Sequence, residues 1–190
     1  LPEGLFLEFD CRQSEPVRAI PRGSDQNVWE DDAIEFFIQP DVDIKTYYQF
    51  AVNATGARYD SECKNTSWNG IWESSTEVTS DGWKGRIVVP WNTLGFAELP
   101  QNATMGINIG RDHGKRPSSW SYPDGSYHNT NAFSRWHIGK DATVEVMPTA
   151  EECSSRIEVK LKIDPAIFPD YDPARYELYA PAIASFQSEQ

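Results

Sequence analysis

The stretch Trp29-Glu-Asp-Asp-Ala-Ile-Glu-Phe-Phe-Ile38 decides the fold of this chain. Ile34, Phe36 and Ile38 share one parity, and Trp29, Asp31, Ala33, Glu35 and Phe37 share the other. A strand sends successive side chains to opposite sides, so this pattern predicts one apolar face and one face that mixes aromatic and acidic groups. The next segment divides the same way: Tyr48, Phe50 and Val52 lie on one side, Tyr47, Gln49, Ala51 and Asn53 on the other, before Gly56 turns the chain. Upstream, Leu5, Leu7 and Phe9 alternate with Phe6, Glu8 and Asp10 until a polar stretch from Arg12 to Glu15. Downstream, the Ser80-Asp81-Gly82 turn announces a strand from Trp83 through Arg86-Ile87-Val88-Val89, which Pro90 stops before Trp91. A further strand is expected from Met105 to Gly110.

Short alternating segments punctuated by Gly, Pro, Asn and Asp predict an all-β chain, an antiparallel β-sandwich of jelly-roll or immunoglobulin-like type. Its 190 residues suffice for one well-cored domain with a tail, divided here as 1–140 and 141–190. Between Asp112 and Asn131 the composition shifts to Gly, Pro, Ser, Tyr, His and Asn, with Trp120, Tyr122 and Tyr127 interleaved, as in long loops that build ligand sites. In the tail, Ile157, Val159, Leu161 and Ile163 alternate with Glu158, Lys160 and Lys162, which predicts an amphipathic strand that packs on a neighbour.

Charge narrows the partners. Seventeen Lys and Arg against 29 Asp and Glu leave a formal charge of -12, which repels phosphate backbones and anionic lipid headgroups, so neither nucleic acid nor a membrane is expected as partner. The longest apolar runs, Ala33-Ile34 and Phe36-Phe37-Ile38 around Glu35, fall far short of a membrane span, and a soluble protein is expected. A start at Leu1 without a charged-then-apolar leader reads as a processed or trimmed product. Cys11, Cys63 and Cys153 lack the spacing of a zinc site. One bridge among them or three reduced thiols both remain open. Three sequons, at Asn53, Asn65 and Asn102, matter only for a eukaryotic product.

The Trp29–Ile38 segment resembles the signature of the family 9 carbohydrate-binding modules, in which a tryptophan and acidic residues precede an alternating strand with one glutamate. Tyr47-Tyr-Gln-Phe-Ala-Val-Asn53, Gly82-Trp-Lys-Gly-Arg-Ile-Val-Val-Pro-Trp91, Gly106-Ile-Asn-Ile-Gly110, Ser119-Trp-Ser121 and Phe133 before Trp136-His-Ile138 resemble successive strands of that family, in order, over about residues 1 to 140. The resemblance implies a β-sandwich that clamps a sugar between two aromatic rings while polar side chains bind its hydroxyls. It places Trp29 at the first clamp ring and Glu35, six positions on, at the glutamate that accepts sugar hydroxyls. Gln49 falls at a polar binding position, but Ala51 stands where sugar-binding members can carry an arginine. Counting back from Phe133 puts Tyr127 near the second ring and Asp124 near a polar partner, with Trp120 and Tyr122 as rivals. Leu5-Phe-Leu7 resembles a later family strand, so the opening of the module is expected to be missing and its edge covered by the Ile157–Ile163 strand, or lost by trimming from a larger protein.

These residue types suit a pyranose. Its axial C–H faces bury against an indole or phenol without requiring a hydrogen bond, and its hydroxyl rim meets carboxylates that accept and amides that both donate and accept. The expected function is therefore non-catalytic carbohydrate binding, by a module of a secreted or cell-surface glycan-processing protein with further domains. Glu35 has a rival role as ion-pair partner of Arg86 or Arg111. No cofactor is expected, although the resemblance admits a structural calcium, for which Asp10, Asp31, Asp32, Asp41 and Asp43 are candidates. His113, His128 and His137 fit no hydrolase motif, so no enzyme is expected. Two alternatives stay open: a sandwich without sugar binding that spaces other domains, and a haem-binding relative using Met105 or Met147 with a histidine.

Overall fold

A computed structural model describes residues 4–114, 117–121, 125–139 and 143–145. Among these residues ten strands form two sheets. β1 (Gly4–Arg12), β5 (Glu73–Thr79) and β6 (Gly82–Pro90) make a three-stranded sheet in the order β1-β6-β5. The larger sheet holds β2 (Ala33–Gln39), β3 (Tyr48–Asn53), β4 (Arg58–Glu62), β7 (Asn102–Asp112), β9 (Ser134–Gly139) and β10 (Thr143–Glu145) in the order β10-β9-β7-β2-β3-β4. The two-residue β8 (Ser118–Ser119) pairs with β7 beside that path. All pairings are antiparallel.

The core lies between the sheets, where the parity read from the sequence sends it. Ile34, Phe36, Phe50, Val52, Ile107 and Ile109 of the large sheet join one buried cluster with Leu5, Leu7, Phe9, Trp83, Ile87 and Val89 of the small one. Trp83 is fully sealed, with its ring edge-on to Phe9 at 5.1 Å, and Trp91 is also buried, so both tryptophans are core residues. Gly82 has φ +147, and a Cβ there would lie 2.0 Å from the Cys11 carbonyl oxygen, so only glycine lets β6 turn so closely against β1.

Several expectations need correction. The second strand starts at Ala33, not Trp29; Val28–Glu30 form a single 3-10 turn, so strand parity cannot be counted back to Trp29. β7 runs from Asn102 to Asp112, longer at both ends than the Met105–Gly110 segment. β4 and β5 were not foreseen, because Arg58-Tyr-Asp-Ser-Glu62 and Glu73-Ser-Ser-Thr-Glu-Val-Thr79 carry little apolar alternation. Both are edge strands, held by backbone pairing and kept polar on the exposed side, as edges tend to be. β10 adds a strand at the edge next to β9. The Ile157–Ile163 segment, Cys153 and Met147 lie outside the described residues.

Cys11 and Cys63 are free thiols, the first buried in the core and the second exposed. Burial pushes the Cys11 pKa up to about 12, only partly opposed by the charge of Arg111, so this thiol is inert at neutral pH. Asn53 is completely buried, which removes it as a glycosylation acceptor in the folded protein. No helix among the described residues is long and apolar enough to cross a membrane.

Candidate functional site

The face of the large sheet that points away from the small sheet carries the second parity set. Register aligns Ser119, Gly110, Glu35, Ala51 and Tyr59 in one row across β8, β7, β2, β3 and β4. Glu35 sits at the centre of that row, between two positions with almost no side chain. Gly110 is small for a reason: a Cβ there would lie 2.8 Å from the ring of Tyr127, so the phenol lies directly over the glycine backbone. At the far end, Trp29 meets Tyr59 edge-on, with centroids 5.0 Å apart and planes at 87°. Gly110 and Tyr59 are three strand spacings apart, about 14 Å, and the two aromatic rings stand at the two ends of that span.

Trp29 reaches this face from its turn, not from a strand. The loop that carries it is pinned by two buried aspartates. Asp31 accepts two hydrogen bonds from the Arg22 guanidinium, at 2.7 and 3.0 Å, and one at 2.7 Å from the amide of fully buried Asn53. Burial works to raise the Asp31 pKa, but the hydrogen bonds from Arg22 and Asn53 and the charge of Arg22 outweigh it and hold it below its ordinary value. Asp32 accepts from the Arg18 backbone at 2.6 Å and from Gln13 at 3.0 Å, and lies 2.7 Å from His113 Nδ1. These two carboxylates serve the loop. Asp10 lies near Arg12, and Asp41 caps the backbone of Asp43 in an exposed turn. Among the described residues no three His, Cys, Asp or Glu side chains converge as a metal ion would require.

Glu35 is only 5% exposed, while Trp29 remains 37% exposed. Its Oε2 accepts a hydrogen bond from the Gln49 amide, and Gln49 Oε1 accepts in turn from the Ser61 hydroxyl at 3.3 Å. On the other side Glu35 is hydrogen-bonded to the carboxyl of Asp112, the last residue of β7. Burial raises the pKa of Glu35 despite these bonds, and burial together with the neighbouring Glu35 charge pushes that of Asp112 up to about 9. The suggested ion pair with Arg86 or Arg111 is therefore absent. Arg86 stacks on Phe6 at 4.8 Å in the small sheet, and Arg111 has core parity and donates to Gln13 Oε1 at 2.9 Å.

The sequence-based candidates thus divide. Trp29, Glu35, Gln49 and Tyr127 come together on one face. Trp120 does not: Ser119 shares the row with Gly110, so the next residue turns to the opposite side, where Trp120 packs on the core with its ring 5.6 Å from Trp136 and its indole N–H buried. Asp124 and Tyr122 lie outside the described residues. Asp112, Ser61 and Tyr59 were missed, Asp112 because the strand was ended two residues too early. Extending the parity of Gly106, Asn108 and Gly110 by one step would have found it. Ala51, at the position where an arginine was looked for, is fully buried with Val28, Ala57 and Tyr59, so the turn that bears Trp29 fills that place with Val28. Met105 is sealed in the core between the sheets, out of reach as a haem ligand.

Beyond the row, Phe37, Tyr47, His128 and Phe133 form an aromatic cluster that supports Tyr127. The Tyr47 hydroxyl lies 2.9 Å from His128 Nδ1, and burial, with a smaller contribution from the Lys64 charge, lowers the His128 pKa to about 4, which leaves the ring neutral at neutral pH. Tyr127 itself donates to the Ser118 carbonyl at 2.9 Å. Gly110→Ala is expected to push the Tyr127 ring off the sheet and weaken ligand binding by about tenfold, with a loss of about 1–3 kcal/mol in stability from overpacking. Calorimetric titration and chemical denaturation of the variant check both numbers, and unchanged affinity would show that Tyr127 need not lie where it does.

The sequence and the fold both have relatives among known proteins. Residues 3–92 match the model of Carbohydrate-binding family 9, a span that includes Trp29, Glu35 and Gln49. The chain is 29% identical over 118 residues to Endo-1,4-beta-xylanase A of Thermoanaerobacterium saccharolyticum, covering 56% of this chain and 10% of that protein. It therefore spans about a tenth of the length of that relative. A candidate carbohydrate-binding protein from Bacteroides uniformis ATCC 8492 has a similar fold, with TM-score 0.55 and 19% identity over 72% of this chain and 74% of the other. A family 9 carbohydrate-binding module from Caldicellulosiruptor kristjanssonii, solved with cellotriose, aligns at TM-score 0.48 and 14% identity over 86% of this chain and 76% of the other. Residues 3–92, which carry β1 through β6 of an antiparallel sandwich, thus match the sequence pattern of carbohydrate-binding family 9.

Proposed function

We propose that this chain is a non-catalytic module that holds a mono- or oligosaccharide on the outer face of its large sheet, as part of a secreted glycan-processing protein. One observation carries the reading: a buried glutamate lies in one row of the sheet between Tyr127, over Gly110 on the next strand, and Trp29, against Tyr59 two strands away. The rings supply apolar contact for the faces of a sugar, and Glu35 with Gln49 meets the hydroxyl rim. The loop bearing Trp29 is already fixed by Asp31, Asp32 and Asn53, so little ordering is needed on binding. Two partly exposed rings give modest affinity, micromolar or weaker.

The xylanase relative directs the choice of probes to β-1,4-linked sugars. Isothermal titration of the protein with cellobiose, cellotriose, xylobiose and xylotriose is expected to give saturable binding to at least one, unchanged by EDTA. One observation favours a rival, the domain spacer without sugar binding: Val28 occupies the place beside Ala51. Silence with all four sugars and on a broad glycan array would decide for that spacer.

A further inference from the structure

Glu35 and Asp112 project from adjacent strands, and their carboxyl groups are hydrogen-bonded to each other. Two carboxylates in contact cannot both be ionised at neutral pH, so the pair retains one proton. The surroundings decide where that proton resides. Glu35 already receives a hydrogen bond from Gln49, which favours its charged form. Asp112 Oδ2 is buried without an amide or hydroxyl donor beside it among the described residues, so Asp112 lacks the bond that favours the charged form of Glu35.

We propose that Asp112 serves the sugar site as a neutral carboxylic acid, donating its proton to Glu35 and holding that carboxylate in the orientation in which it meets sugar hydroxyls. This rests on the reading of the face as the sugar site. Asp112 is a positioning residue here, acting through Glu35.

Among the described residues, the charged and titratable groups of the surrounding elements are engaged elsewhere. Before β2, Asp31 pairs with Arg22, while Asp32 and Glu15 flank His113. On β3 and β4 the groups facing Glu35 are Gln49, Ser61 and Tyr59, of which only the phenol titrates. Arg111, the adjacent charge on β7, points into the core towards Arg12 and Gln13. From the loop after β8, Tyr127 donates to Ser118 and His128 faces Tyr47. None of these contacts gives the pair a cation to replace its proton. When the proton leaves at alkaline pH, two like charges are left side by side, and their repulsion drives Glu35 out of the orientation that Asp112 held.

The test compares the wild type with Asp112→Asn, whose amide donates to Glu35 at every pH. At pH 7 the variant is expected to bind oligosaccharide within about threefold of the wild type. At pH 10 the wild type is expected to lose roughly tenfold in affinity relative to the variant, because only the wild type loses the donor. A second readout needs no sugar. Unfolded Asp112 releases its proton near pH 4, whereas the folded pair keeps it until about pH 9, so the folded state binds the extra proton across that window. Wild-type thermal stability should therefore fall relative to Asp112→Asn as pH rises from about 4 to about 9. Intact binding at pH 7 with parallel alkaline losses in both proteins, or parallel stability curves, overturns the proposal and leaves the sugar reading in place. Absence of sugar binding by either protein at any pH removes the sugar reading, and the proposal with it.

Discussion

Trp29→Ala is expected to weaken oligosaccharide binding by about 30- to 70-fold while the protein stays folded. The indole is 37% exposed and touches the sheet through the edge of Tyr59, so its partly open surface is what a sugar would cover. Burying some 80–100 Å² of ring against a sugar face contributes about 2–2.5 kcal/mol, a loss of about 30- to 70-fold when truncated. From micromolar affinity that loss leaves a Kd of tens of micromolar, and from a weaker start it carries binding towards the millimolar range. The cost to stability is expected within about 1–2 kcal/mol, because Val28, not Trp29, fills the buried cluster with Ala51. Differential scanning calorimetry beside the titration separates the two effects. A variant that still binds with wild-type affinity would remove the tryptophan from the site and leave Tyr127 without a partner ring.

The second large effect is expected from Glu35→Ala. At neutral pH this residue supplies the carboxylate at the floor of the row, and charge-assisted hydrogen bonds to hydroxyls contribute about 1.5–3 kcal/mol. Its loss is expected to weaken binding by roughly ten- to a hundredfold. Asp112 does not substitute for it. Freed from its neighbour, Asp112 should ionise at lower pH, but its carboxyl lies on β7 and cannot form the same hydrogen bond with Gln49. The variant should therefore show a lowered Asp112 pKa by carboxyl-carbon NMR together with weakened binding. Affinity within threefold of the wild type would mean that the carboxylate plays no part in recognition.

Much of the sandwich was legible because strand parity is local. Leu5, Leu7 and Phe9, Ile34, Phe36 and Ile38, and Phe50 and Val52 all face the core as their alternation requires. The same parity placed Glu35 and Gln49 together on the opposite face. It failed wherever the backbone left the extended state. Trp29 stands on a 3-10 turn, and it belongs with Glu35 only because Asp31, Asp32 and Asn53 fold its loop back across β3 and β4. Trp120 failed for the opposite reason: β8 inside a segment read as loop imposes a parity that turns its ring to the core. Polar edge strands such as β5 leave almost no trace in hydrophobic pattern, since backbone pairing and not burial holds them.

By itself, then, the order of residues determined an acidic, all-β sandwich with an aromatic and carboxylate-bearing outer face, because alternation and turn chemistry act between near neighbours. Only the tertiary structure decided which groups share the site. Register between β2 and β7 brings Asp112 against Glu35 across some 77 positions of chain, and Gly110 clears the space in which Tyr127 lies. The protonation of that carboxyl pair is a property of two strands packed side by side out of water, and neither strand holds it alone.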